Sequence, residues 1–165
     1  MAKFKRGQGK RPSMAAGYGI QQTEEGLLPW TWLSERMAAS RSYWLATVQP
    51  TGKPHAAPIW GIWLDEQFYF GTDRHSRKGK NLAANPQAVV HLESGDEVVI
   101  LEGYVEEVPD SPLHDRYTAV YEAKYHFRPG PPNETAVTYR LVPTAAFAWL
   151  ESDFPNTATR WEWRS

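Results

Sequence analysis

The feature that most constrains the fold is a series of short strands separated by tight turns. Residues 43–48, 55–64 and 67–72 are rich in aromatic and branched side chains, and residues 55–64 alternate between two faces. The turns between them, residues 49–53 and 65–66, are only a few residues long. Connections this short join antiparallel neighbours, so these strands are predicted to form an antiparallel meander.

The rest of the chain repeats this pattern and adds helices. Helices are predicted to start near Pro29, at Arg77 and after Ser111, because each follows a suitable N-terminal residue. Gly103, inside a long strand, indicates a bend or a close backbone approach. Further strands are predicted at residues 88–93 and 98–108, in a hairpin of residues 136–142 and 145–150, and at residues 157–163. Six or more antiparallel strands with two or three helices indicate an α+β fold built on a closed β-barrel.

The length, charge and composition of the chain narrow the class of protein. At 165 residues the chain is predicted to form one domain, residues 27–165, preceded by a flexible basic arm, residues 1–26. The arm has a charge of +3 and the remainder −4, so we expect no nucleic-acid-binding surface on the folded body. No apolar run is long enough for a membrane span, and no secretory signal is recognisable. The absence of cysteine excludes thiolate chemistry and fits a cytoplasmic protein.

One basic stretch carries the clearest functional signal. Ser76, Arg77 and Lys78 follow an aromatic strand and open a short helix that stops before Asn85-Pro86. Cations at a helix N-terminus interact unfavourably with the helix dipole, and an anion bound there would compensate for this interaction. Free backbone N–H groups, a serine hydroxyl and two or three cations would then converge on one phosphate. The alternative is a solvated basic turn.

Other chemistry has little support. There is no Gly-x-Ser-x-Gly motif, and the histidines show no spacing of four residues, so we expect neither a hydrolase of that kind nor a metal site. Eight Trp and eight Tyr residues could provide walls for a planar ligand. A phosphate clamp beside aromatic strands suits a planar, phosphorylated redox cofactor, which itself carries the electrons.

These residues resemble the pyridoxamine 5′-phosphate oxidase-like flavoproteins, which have a split β-barrel. The resemblance covers about 60 residues well, from Tyr43 to Val105. Its motifs are the strand 43–48, Gly52-Lys53-Pro54-His55 before Pro58-Ile59-Trp60, Phe70-Gly71-Thr72, Ser76-Arg77-Lys78 with Asn81-Leu82 and Asn85-Pro86, and Glu102-Gly103.

The resemblance implies an FMN-dependent oxidoreductase. Members are homodimers, with FMN in the groove between two barrels. Ser76, Arg77 and Lys78 would hold its phosphate. The other positions that match cofactor-binding residues are Pro58, Ile59, Trp60, Thr72, Asn81 and, more loosely, Arg160 and Trp161.

The resemblance leaves the reaction open. A small organic substrate is expected, but residues 159–163 do not reproduce the C-terminal segment that binds the substrate phosphate in the true oxidase. Alternatives are a reductase that uses the deazaflavin coenzyme F-420, and a non-catalytic flavin or haem carrier with His55 or His91 as axial ligand. No catalytic side chain is assigned; Tyr43, His55 and His75 are the nearest candidates for proton transfer.

Overall fold

The structure, a computed structural model, describes residues 5–164. The first four residues of the predicted arm and Ser165 lie outside these described residues. Nine strands form one antiparallel sheet with the order β1-β9-β8-β7-β6-β2-β3, while β5 pairs with both β4 and β8. The strands are β1 (Lys5–Arg6), β2 (Tyr43–Val48), β3 (Pro54–Ile59), β4 (Ile62–Leu64), β5 (Gln67–Asp73), β6 (Gln87–His91), β7 (Glu97–Glu107), β8 (Ala136–Leu150) and β9 (Thr159–Arg164).

β3 lies at one end of the series of paired strands and β4 lies at the other end. Because β3 and β4 follow each other in the chain, the connection between them closes the sheet into a barrel. Three helices of eight or more residues accompany it, and a fourth makes a single turn. They are α1 (Trp30–Ala39), α2 (Arg77–Ala84), α3 (Pro112–Tyr125) and α4 (Phe154–Thr157). The predicted α+β fold, an antiparallel split β-barrel with two or three main helices, is confirmed.

Three signals explain why the elements form where they do. The stripe of Trp30, Leu33 and Met37 on α1 is buried in the barrel core, as its spacing predicts. Ser111 caps α3 by accepting a hydrogen bond from the His114 amide, at 3.3 Å. Asp65 and Glu66 both have positive φ, of 51° and 58°, and make the tight turn between β4 and β5.

The predicted hairpin near the C-terminus is wrong, although its residues do form a strand. The expected hairpin of residues 136–142 and 145–150 is one continuous strand, β8, which pairs with β7 along its length. Pro143 is accommodated within β8 because it lies opposite an irregularity at Glu102/Gly103, where the ladder does not need its missing N–H group. A Cβ on Gly103 would overlap the Val142 carbonyl oxygen, so the predicted close approach is confirmed.

The predicted strand of residues 55–64 is divided into β3 and β4. The division falls at Trp60-Gly61, and Gly61 packs against the Phe68 ring so closely that a Cβ would overlap it. This break directs Trp60 outward, with 43% of its surface exposed.

The part of the predicted arm that the structure describes lies along β9. Lys5–Arg6 pair with Trp163 and Arg164, and Lys10 forms a bridge with Arg160. The Arg11 guanidinium donates to four backbone carbonyls, those of Thr23, Glu25, Asn156 and Ala158. The division into an arm and a barrel domain at residue 27 stays a prediction.

Candidate functional site

The start of α2 is built by local sequence. Ser76 caps the helix, since its Oγ accepts a hydrogen bond from the Gly79 amide at 3.0 Å. Gly79 is buried and packs on the backbone of Asp73 and Arg74, where a Cβ would overlap the Asp73 carbonyl oxygen. The predicted cap and helix bounds are confirmed, and the turn before α2 is held tightly against the end of β5.

Two hydroxyl groups meet at this helix start. The Oγ atoms of Thr72 and Ser76 are 3.0 Å apart, and the Ser76 hydroxyl also lies 2.7 Å from the Asp73 carbonyl oxygen that it donates to. Ser76 therefore acts as a cap in this state. With that hydrogen on the Asp73 carbonyl, Thr72 is the donor in the contact with Ser76, so either hydroxyl would donate to an anion only by exchanging its present contact.

Among residues 5–164, the cations of α2 form no ion pair with an acidic side chain. Arg77 and Lys80 are exposed, Lys78 is half-buried, and none of them lies within 4.0 Å of a carboxylate among residues 5–164. The first turn of α2 carries no acidic residue. Arg74 differs, because it makes a two-point ion pair with Glu107 at 2.6 and 2.9 Å. The uncompensated positive charge is thus concentrated at the amino end of the helix.

Asn81 connects α2 to the barrel. It is fully buried, and its Nδ2 donates to the Thr47 Oγ1 on β2 at 3.0 Å. Its Oδ1 has no partner within the described chain, and neither does the nearby buried Nδ1 of His55, the residue opposite Thr47. Asn81 thus fixes the helix to the barrel.

Pro58 and Ile59, which are predicted to line the cofactor ring, lie on β3, the strand that pairs with β2. His55 faces Thr47 beneath α2, and Pro58 is three residues further along β3, about 10 Å away at 3.3 Å per residue. Pro58 is exposed and Ile59 is buried in the core, so only the backbone of Ile59 could face a ligand. Trp60 presents its ring to solvent.

Arg160 shares a face with Pro58 but lies far from it. Successive cross-strand pairs connect Pro58, Trp44, His91, Ile100, Phe147 and Arg160 in one row across the sheet. Five strand spacings of about 4.8 Å place Arg160 about 24 Å from Pro58 around the sheet. Arg160 is paired with Glu162 at 2.9 Å. Along this path of paired strands, Arg160 is therefore five strands away from Pro58.

Trp161 faces the opposite way. It pairs with Ala146 in a row that continues through Leu101 and Val90, and it is 2% exposed, in edge contact with Trp30. In this chain Trp161 is a core residue.

A cleft beside Thr72 is a feature that sequence reasoning missed. It has a volume of about 330 Å³, which is at the lower end of the range for small-ligand pockets, and lies between the end of β5, α3 and the proline-rich loop 128–133. Tyr117, Tyr121 and Phe127 form its aromatic wall. The spacing of Tyr117, Tyr121 and Tyr125, four residues apart on one helix face, is the signal in the sequence.

A further cation, Lys124, lies in the last turn of α3. Lys124 is half-buried and donates to the Tyr43 hydroxyl at 2.8 Å and to the Gly61 carbonyl at 3.0 Å. Burial, with a smaller contribution from Arg41, lowers the pKa of Lys124 to about 8. Burial also raises the pKa of Tyr43 far above its ordinary value, so Tyr43 stays protonated at neutral pH. Neither Lys124 nor Arg41 was selected from the sequence, because nothing local marks them.

Within residues 5–164, no cluster of three or more potential metal-ligating His, Asp or Glu side chains is found. None of the helices described has the length and apolar character needed to cross a bilayer.

Residues 33–149 match the pyridoxamine 5′-phosphate oxidase family, which is well over half of the chain. The chain belongs to this family. A pyridoxine/pyridoxamine 5′-phosphate oxidase from Cupriavidus pinatubonensis is 32% identical over 154 residues, with 72% of each chain covered. One from Ralstonia pickettii is 37% identical over 100 residues, covering 59% of this chain. The match spans only 43% of that relative's length.

Solved structures share the fold. A conserved hypothetical protein from Mycobacterium tuberculosis has a TM-score of 0.65 at 24% identity, covering 79% of this chain and 90% of its own. An F420 reductase has a TM-score of 0.53 at 25% identity, covering 68% and 94%. A haem-binding protein from Mycobacterium smegmatis has a TM-score of 0.59 at 18% identity, covering 74% and 55%, and supports the fold alone.

Proposed function

We propose that this protein is an FMN-dependent oxidoreductase that acts on a small organic substrate. The observation that carries the proposal is the pair Arg77 and Lys78, which lie at the amino end of α2 without an acidic partner in the described chain. Positive charges at this position interact unfavourably with the helix dipole, whereas a bound phosphate would interact favourably with both the dipole and the two cations.

The residues present fit a flavin phosphate. Arg77 and Lys78 would supply charge, the first amides of α2 would supply N–H donors, and the Thr72 hydroxyl would add a further donor. Pro58 and Trp60 would line the ring, with the Ile59 backbone between them. FMN, when bound, supplies the redox chemistry; the chain binds, orients and shields it. Asn81 contributes indirectly, by holding α2 on β2.

We also propose that two chains form one site. Arg160 lies five strands from Pro58 along the sheet, and a groove shared with a second copy would bring an Arg160 side chain to the ring. The outer face between them carries half-buried apolar side chains, Trp44, Ile100 and Phe147, which favours contact with another protein surface. A cytoplasmic homodimer is the state that fits these features. Sedimentation at micromolar concentration should show a dimer, and a clean monomer would contradict it.

Two alternatives have specific support. The basic start of α2 would equally accept the phosphate of a deazaflavin, and one structural relative is an F420 reductase. A haem carrier is favoured by His91, whose Nδ1 lies 2.7 Å from the Leu92 carbonyl and would leave Nε2 free as a ligand.

The experiment is a binding titration followed by absorbance. FMN should bind with a perturbed flavin spectrum, and riboflavin, which lacks the phosphate, should bind much more weakly because α2 then has no anion to hold. Equal binding of both would contradict the phosphate site. Preferential binding of the deazaflavin coenzyme, or a Soret band with haem, would replace FMN by that alternative.

A further inference from the structure

The break between β3 and β4 is held by the last turn of α3. The Tyr125 hydroxyl accepts a hydrogen bond from the Gly61 amide at 2.9 Å. Its own hydrogen can reach the Gly61 carbonyl or the Arg41 carbonyl, each at 2.7 Å. Lys124 donates to the same Gly61 carbonyl at 3.0 Å. Both polar groups of the Gly61 backbone are therefore satisfied by side chains instead of by a neighbouring strand.

Lys124 links this break to α1. Its ammonium group donates at 2.8 Å to the Tyr43 hydroxyl, which is fully buried. That hydroxyl lies within hydrogen-bond distance of two carbonyls at the end of α1, Met37 at 2.5 Å and Ser40 at 3.0 Å. Lys124 thus joins three parts of the fold, namely α3, the end of α1 and the strand break.

Trp60 depends on the same network. Its ring stacks on the Tyr125 ring with a centroid distance of 4.5 Å and an angle of 2°. The Arg41 guanidinium lies 5.4 Å from the Trp60 centroid, and the Lys124 ammonium lies 5.1 Å from the Tyr125 centroid. The residue as a whole is 43% exposed. A shift of Gly61 or Tyr125 would therefore turn the ring that Trp60 presents.

We propose that Lys124 is a positioning residue that sets the orientation of Trp60 through Gly61 and Tyr125, and thereby the surface offered to a planar cofactor. The part that concerns the cofactor rests on the proposed function, whereas the part that concerns Trp60 does not.

The charge of Lys124 gives the network a spectroscopic signature. The titratable and charged groups that face its ammonium are Arg41, Tyr43 and Tyr125, and no carboxylate within residues 5–164 lies within 4.0 Å. Burial in these surroundings lowers the pKa of Lys124 to about 8. Tyr43 and Tyr125 have raised pKa values because they are buried, so they do not titrate in the same range.

The test is a ¹H–¹⁵N spectrum of the tryptophan indoles in the full-length protein, with the Trp60 signal assigned from Trp60→Phe. In the native protein we expect the Trp60 indole signal to move with a midpoint near pH 8. In Lys124→Met, which keeps the chain length but removes the charge, the signal should shift and lose this midpoint. Lys53→Met, in the exposed turn after β2, is the matched control and should leave both unchanged.

Cofactor binding separates this inference from the proposed function. We expect Lys124→Met to weaken FMN binding about threefold to tenfold, a fraction of the loss expected when a charged contact is removed directly. Lys124→Arg, which keeps the charge, should recover part of it. A Trp60 signal that titrates in a protein that binds no FMN would support the role of Lys124 and contradict the proposed function. A Trp60 signal that ignores both pH and Lys124→Met would overturn the inference, whether or not FMN binds.

If Lys124→Met does not fold, Tyr125→Phe tests the same network. It keeps the ring that stacks on Trp60 and removes only the hydroxyl that binds Gly61. The Trp60 indole signal should then shift while its midpoint near pH 8 remains, because Lys124 is still present. An unchanged Trp60 signal in Tyr125→Phe would contradict the proposed path through Gly61.

Discussion

Replacing Arg77 and Lys78 together by alanine should affect ligand binding and stability in opposite directions. Each side chain is assigned one charge-assisted contact with a phosphate, worth about 1.5–3 kcal/mol. Full additivity would give about 3–6 kcal/mol, or about a hundredfold to ten-thousandfold in affinity. Neighbouring contacts are seldom additive and Arg77 is exposed, so we expect FMN affinity to fall at least about tenfold.

The ligand-free protein should not lose stability from the same change. Both cations oppose the dipole of α2, and each unfavourable interaction of this kind amounts to about 0.3–1 kcal/mol. The free energy of unfolding should therefore stay constant or rise slightly, as measured by urea denaturation. The matched control is Lys5→Ala with Lys53→Ala, which removes two exposed positive charges that form no ion pair among residues 5–164.

Three results would refute this reasoning. Unchanged FMN affinity in the double variant would mean that the start of α2 is a solvated basic turn. An equal loss in the control would mean that net charge, and not the position of the two cations, governs binding. A clear fall in the stability of the ligand-free double variant would show that Arg77 and Lys78 hold the fold itself.

Three further predictions concern the fold. Because the pKa of Lys124 falls from 10.5 to about 8 on folding, the unfolded chain binds more protons between these values, so stability should rise with pH above about 8. Urea denaturation at pH 8 and 9.5 should show this rise in the native protein, and a smaller one in Lys124→Met. Gly103→Ala should lower the melting temperature strongly because its Cβ would overlap Val142, whereas Gly95→Ala, in open space, should not. Arg11→Ala should lower the free energy of unfolding by about 2 kcal/mol in denaturation curves, since it removes charged donors from four carbonyls.

The start of α2 could be predicted because its determinants are contiguous. A strand end, a capping serine, three cations and a terminal Asn-Pro lie within 15 residues, and all of them act through local backbone geometry. The same holds for the turn at Asp65-Glu66 and for α1, where the apolar spacing alone defines the buried face.

Features that depend on distant partners were missed. The division of residues 55–64 follows from the contact between Gly61 and Phe68, and nothing around Gly61 in the sequence reveals that ring. The continuity of β8 through Pro143 depends on the irregularity in β7 opposite it. Likewise, alternation predicts that Arg160 and Trp161 face opposite sides, but only the pairing with Phe147 and Ala146 decides which side is the core.

The two parts of the candidate site differ in the same way. The phosphate anchor needs only backbone amides, hydroxyls and cations from one short segment, so it can be conserved in form while the rest of the barrel varies. The ring surface is set by Trp60, whose orientation depends on α3 through Tyr125 and on Lys124 through Gly61. The cleft beside Thr72 is walled by the same helix, through Tyr117 and Tyr121. A change in α3 would therefore alter the ring surface and the cleft together while leaving the start of α2 in place, so on the proposed function we expect α3 to influence which substrate is accepted.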